Sequence, residues 1–165
     1  MARGVQGFSD LQKQFDDLNK RLEAADVDAF CRIVAKELAA RLLAQVIKRT
    51  PVGDYPKSTG KKGGTLRRGW TAQSEEEAAS GSGKGDAVAY ANALPITKSG
   101  NVYEIEIINP VHYASYVEFG HRTRGGDGWV QGRFMLTLSE KEIQRQSTRV
   151  VEAKLKKYLG EVFNG

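Results

Sequence analysis

Cysteine occurs once in this chain of 165 residues, at Cys31, so an internal disulfide is excluded and the fold must hold without covalent staples. A reducing compartment is the expected setting. Histidine occurs twice, at His112 and His121, and a zinc site needs three or four clustered Cys, His or carboxylate ligands. No metal or other cofactor is expected. No apolar run approaches the roughly 18 residues that span a bilayer, and Met1 to Gln6 lead into a charged helical pattern without an apolar leader. A soluble protein with no signal peptide and no membrane contact is therefore expected. Hydrophobic residues make up 40% and aromatics 8%, on the low side for a self-sufficient globule. The length supports one core, hence a single domain over 1–165. The net charge of +5 leans towards an acidic partner, but 20 acidic residues are interspersed among 25 cations and the lean is mild.

The apolar pattern is helical at both ends. Leu11, Phe15, Leu18 and Leu22 recur at i, i+4, i+7 and i+11, with Ser9 and Gln12 placed as a capping box. This stripe is narrow and its other faces are charged, which suits either packing on the domain or docking on a neighbouring subunit. A broader apolar face over about Asp28 to Arg49 contains Phe30, Ile33, Val34, Leu38, Leu42, Leu43, Val46 and Ile47. Thr50-Pro51 closes that helix, because proline disfavours helical geometry at the preceding residue and has no N–H to donate. Leu66 to Gln73 reads as extended, anchored by Trp70, and Ala87 to Ala93 and Asn101 to Ile108 read as strands. In the last of these Tyr103, Ile105 and Ile107 form the apolar face, and Lys98-Ser99-Gly100-Asn101 is the preceding turn. Stretches at about 53–64, 74–86 and 121–128 are poor in apolar residues and read as mobile surface loops. A long C-terminal helix carries Met135, Leu136, Ile143, Val150, Val151, Leu155, Tyr158, Leu159 and Phe163. Its polar run from Gln144 to Arg149 marks a kink or a section that projects from the domain. These elements predict an α+β fold: a small, mostly antiparallel sheet packed by two N-terminal helices, a short capped helix and the long C-terminal helix.

The short helix is Asn109-Pro110-Val111-His112-Tyr113-Ala114-Ser115-Tyr116-Val117-Glu118-Phe119-Gly120. Asn109 suits an N-cap, Pro110 the first helical position, and Gly120 a left-handed residue past the last turn. Following a strand that ends in Ile107-Ile108-Asn109, the string Tyr-Ala-x-Tyr-Val-Glu-Phe-Gly resembles the tail-completion, or head-to-tail joining, proteins of long-tailed bacteriophages. Thr50-Pro51-Val52, Thr59-Gly60 and Leu66-Arg67-Arg68-Gly69-Trp70 extend the resemblance, although the family runs these pieces together and here Tyr55-Pro56-Lys57-Ser58 and Lys61-Lys62-Gly63-Gly64-Thr65 separate them. Gly132-Arg133-Phe134-Met135-Leu136 matches the family where its C-terminal helix opens.

The resemblance implies a structural virion protein that forms a homo-oligomeric, six-fold ring at the head-proximal end of a tail, assembled in the host cytoplasm. Its partners would be the tail tube or terminator and the neck or connector proteins. A terminator that caps the growing tube is the neighbouring reading.

Catalytic patterns are weak. Gly81-Ser82-Gly83-Lys84 lacks the glycine and the hydroxyl residue that a phosphate loop requires, since Ala78 and Gly85 stand there. Ser115, His112 or His121, and Glu118 do not converge when placed on one short helix. Glu118 more readily orders that helix against a backbone N–H or an arginine, and no enzymatic activity is expected. The basic segment is different. Between Thr50 and Trp70 five cations, Lys57, Lys61, Lys62, Arg67 and Arg68, face one acid, Asp54. Gly-rich backbone with lysine and arginine but no aromatic stack suits nonspecific contact with duplex DNA, to which Arg122 and Arg124 add. A free nucleic-acid-binding module is the remoter alternative.

Overall fold

The computed structural model describes residues 3–23, 25–82 and 85–164. Met1-Ala2 at the start of the chain and Gly83-Lys84 of the rejected phosphate loop lie outside the described residues. In chain order the elements are α1 (Arg3–Glu23), α2 (Val27–Arg49), a 3-10 turn (Lys57–Thr59), α3 (Thr65–Gly69), α4 (Glu75–Ser80), α5 (Ala87–Ala93), β1 (Thr97–Ser99), β2 (Val102–Glu104), α6 (Ala114–Phe119), β3 (Gly120–Arg122), β4 (Trp129–Gln131) and α7 (Met135–Asn164). The fold is α+β with helices predominant. The expected sheet is two separate antiparallel hairpins, β1 with β2 and β3 with β4.

The framework is α2 packed along α7, with α5 laid across α2. Asp26 caps α2 by accepting from the Ala29 N–H at 2.9 Å. Ala39, Leu43 and Val46 project from α2 into the core, where they meet Leu66, Trp70, Ala72, Ala78, Ala91, Val111 and Met135. The alternation of Tyr103, Ile105 and Ile107 holds: these three are half-buried while Val102, Glu104, Glu106 and Ile108 are exposed. Only Val102–Glu104 has a ladder partner, and the backbone beyond it runs unpaired across α2 and α7.

Several local expectations are overturned. Leu66 to Gln73 begins as a short helix rather than a strand, because Leu66, Gly69 and Trp70 are buried together as one helical face. Gly69 is required there, since an added Cβ would collide with the Asn109 carboxamide. Ala87 to Ala93 is also helical. Asp86 accepts from the N–H groups of Val88 and Ala89, and four alanines let the turn press its Ala91 face onto the core. Ser74 to Asp86 contains α4, whose N-cap Ser74 accepts from the Glu77 N–H and whose first turn holds Glu75, Glu76 and Glu77, the sign that suits a helix N-terminus. α1 begins at Arg3 and runs through Ser9, so the capping box does not open it. α7 is unbroken through Gln144 to Arg149; that stretch is mostly solvent-facing, and burial resumes at Val150.

Candidate assembly interface

Two separated pieces of sequence, the Tyr-Val-Glu-Phe-Gly string and Gly132-Arg133-Phe134-Met135, meet at one junction. The N–H of Arg133 donates to the Val117 carbonyl at 2.8 Å and that of Phe134 to the Glu118 carbonyl at 3.0 Å, so the last carbonyls of α6 are satisfied by the chain entering α7. The Glu118 side chain completes the exchange. One carboxylate oxygen accepts from the Leu136 N–H at 2.9 Å, and the other from the Thr137 N–H at 2.9 Å and its hydroxyl at 2.8 Å. Glu118 is buried. A carboxylate held there bonds the free N–H groups of the first turn and faces the positive end of the helix dipole.

The signal that would have located this acceptor lies in α7 itself. Phe134 precedes its first residue, at φ 50°, and cannot cap with its side chain; the first turn carries no acid. The helix therefore needed an acceptor from elsewhere.

α6 differs in its entry from expectation. Asn109 is not its N-cap, because its amide donates to the Leu66 carbonyl at 2.8 Å and its oxygen accepts from the Val111 N–H at 3.2 Å. The helix starts at Ala114, four residues beyond Pro110. Gly120 does close it with positive φ, at φ 85° and ψ 172°, which is not the left-handed helical geometry expected. An added Cβ would strike the Val130 carbonyl oxygen, so Gly120 lets β3 lie close against β4.

Around this junction the helix divides by face. Tyr113 and Val117 are half-buried against the core, whereas Tyr116 is 56% and Phe119 61% exposed. Burial of these two aromatic rings, the reading of a core helix, is corrected. Tyr116 meets the His121 ring edge to face at 5.7 Å, and Trp129 and Val130 on the adjoining hairpin are exposed too. The result is an aromatic surface with a fixed backbone beneath it.

The basic segment also divides. Arg67 donates through Nε and Nη2 to the Thr50 carbonyl at 3.0 and 2.6 Å. Thr50 is fully buried; its hydroxyl donates to the Val46 carbonyl at 2.7 Å and accepts from the Trp70 indole N–H at 2.7 Å. Arg68 reaches the carbonyls of Ala78 at 2.7 Å and Gly63 at 3.3 Å, clamping the end of α4. Both arginines thus hold the fold and leave the DNA-facing set. Pro51 begins the exposed run 51–62, in which Lys57, Lys61 and Lys62 stand in solvent, and a cleft lined by Val52, Tyr55, Tyr113 and Val117 lies between this loop and α6. Arg122 and Arg124 are exposed on the β3–β4 hairpin, and Arg133 is exposed beside α7.

No triad forms. The His112 ring pairs with Glu75 at 2.7 Å on the surface, Ser115 is exposed, and Glu118 turns inward to α7. Among the described residues no group of three or more His, Cys, Asp or Glu is placed to hold a metal, and no helix is long and apolar enough to cross a membrane. Cys31 is a half-buried free thiol on α2.

A family model described as "Bacteriophage HK97-gp10, putative tail-component" matches residues 10–120, more than half of the chain. The chain belongs to this HK97-gp10-like family. It is a bacteriophage tail component, and its interactions are with other tail or virion proteins. The matched region ends at Gly120, so Gly132 to Met135, which complete the junction with α6, follow it in sequence. No curated protein and no solved structure matches the chain.

Proposed function

We propose that the chain forms a six-fold ring at the head-proximal end of a phage tail, where it completes the tail and joins it to the neck. The observation that carries this reading is the division of α6. Glu118 fixes the helix to α7, while Tyr116 and Phe119 are held outward on the same turns. Exposed aromatic side chains on a rigid base are the usual centre of a protein–protein contact, because they bury much area at little cost in side-chain entropy. The Lys57–Lys62 loop lines the inner rim and faces DNA or the channel through which it passes. The mechanism is mechanical: copies contact head to tail, and the two ring faces meet connector and tube.

A reconstruction of the particle with this subunit located tests the reading, together with Tyr116→Ala and Phe119→Ala. Each variant is expected to keep the parent's stability within about 0.5 kcal/mol, as substitutions at exposed positions do, and to reduce incorporation into particles. A subunit found at the distal end of the tail, or full incorporation of both variants, rejects it.

A further inference from the structure

The longest unpartnered feature of the molecule is the stripe of α1. Leu11, Phe15, Leu18 and Leu22 are all between 40% and 57% exposed. In its own chain α1 is tied beside the end of α7, where the Arg21 guanidinium donates to the Phe163 carbonyl at 2.7 Å, and the stripe remains open. An amphipathic helix with its apolar row in water is incomplete.

Elsewhere on the surface, α2, α5 and α7 enclose an open groove of about 800 Å³. Its floor is Ile33, Ala40, Ala44, Val88 and Ile96, and Ile33, Ala44 and Val88 are exposed. We infer that this groove receives α1 of a second copy of the chain, so that each subunit grips the next by its N-terminal helix.

Three features select that occupant. The first is spacing. The groove positions on α2 are Ile33, Glu37, Ala40 and Ala44, which repeat at i, i+4, i+7 and i+11, the same series as Leu11, Phe15, Leu18 and Leu22. Both rows are about 16 Å long at 1.5 Å per residue. The second is relief. Large side chains on α1 face small ones, Ala40 and Ala44, on α2, the arrangement that lets ridges of one helix enter the grooves of another.

The third is charge. The groove is bordered by Arg32, Lys36, Arg41 and Lys154 against the single carboxylate Glu37, which Lys154 and Arg41 already hold at 3.1 and 2.8 Å. At about 100° per residue, Asp17 lies on one flank of the α1 stripe and Asp16 and Glu23 on the other, with Lys13 and Lys20 opposite. Acidic flanks therefore meet a basic rim. A stripe and a groove on different parts of one subunit make a heterologous contact, which closes into a ring when the rotation between copies allows it.

This inference rests on the ring reading and adds the surfaces that would build it. The spacing is palindromic, so α1 fits in either direction, and two cysteine pairs are needed for its test. In the full chain carrying Cys31→Ser, a Leu18→Cys protein is mixed with an Ala40→Cys protein, and a Phe15→Cys protein with the same Ala40→Cys partner, under a mild oxidant. Disulfide-linked heterodimers from one of the mixtures are expected, and Leu18→Asp should weaken self-association about tenfold or more with the melting temperature unchanged. Absence of heterodimers from both mixtures overturns the inference. So does a chain carrying both cysteines that links only within itself, since α1 would then fold onto its own groove. Rings imaged on the tail without the cross-link sink the docking and leave the ring; cross-linked assemblies never found on a tail do the reverse.

Discussion

Arg67 and Arg68 lie within a dozen residues of Lys57, Lys61 and Lys62 and carry the same charge, yet the molecule uses the two groups in opposite ways. The arginines reach inward to backbone carbonyls of Thr50, Ala78 and Gly63, and the lysines stand in solvent. A guanidinium presents several N–H donors in a planar fork and can satisfy a buried carbonyl with two bonds at once, whereas an ammonium is strongly hydrated and is better left in water. The same division appears on α6, where Glu118 is enclosed and Tyr116 and Phe119 are open. Local sequence places charge or aromatic surface on a segment. Its use depends on whether an unsatisfied partner waits on the facing element.

Glu118→Ala should break this contrast most severely. It strips two backbone N–H groups and one hydroxyl of their acceptor, at about 1–3 kcal/mol for each buried group left unpaired, and removes a favourable charge from a helix N-terminus. A loss of about 3–5 kcal/mol is expected on these magnitudes. In a chain of this size that is a fall in melting temperature of roughly 10 °C. Thermal or urea unfolding checks it, and a melt within error of the parent would show that α7 does not depend on this cap.

Arg67→Ser comes next. It leaves the buried Thr50 carbonyl without its two-pronged donor and should cost about 1–3 kcal/mol, measured in the same unfolding experiments. Stability equal to the parent's would mean that solvent replaces the guanidinium and that Arg67 belongs with the lysines after all.

The smallest effect on stability is expected for Lys57, Lys61 and Lys62 replaced together by serine. These positions are exposed, and the melting temperature should stay with the parent. If the loop touches phosphates in the channel, genome retention or DNA passage falls while ring formation is kept. In a binding titration, each lost contact lowers the slope of log affinity against log salt by roughly 0.9. Failure of the triple variant to form rings would instead make the loop a contact between subunits.

The helical framework was legible because it depends on periodicity. The broad face of α2 and the long stripe of α7 stand where the apolar spacing puts them, and the alternation of Tyr103, Ile105 and Ile107 is preserved although little of that segment is paired. The short elements were not legible in the same way. Leu66 to Gln73 and Ala87 to Ala93 are too brief for period 2 and period 3.6 to be separated, and burial against α2 chose the helix in both.

The sequence by itself determined the absence of a disulfide framework, the positions of the long helices, and the motif strings by which the family is reached. Tertiary structure alone decided which polar side chains close the fold and which remain free. Glu118 caps a helix that begins 17 residues later, and Arg67 bonds a carbonyl 17 residues earlier. The reason is physical: an unsatisfied N–H or carbonyl at a helix end can be met by any acceptor or donor that packing brings within about 3 Å. That proximity is a property of the folded chain, and spacing along the sequence does not encode it.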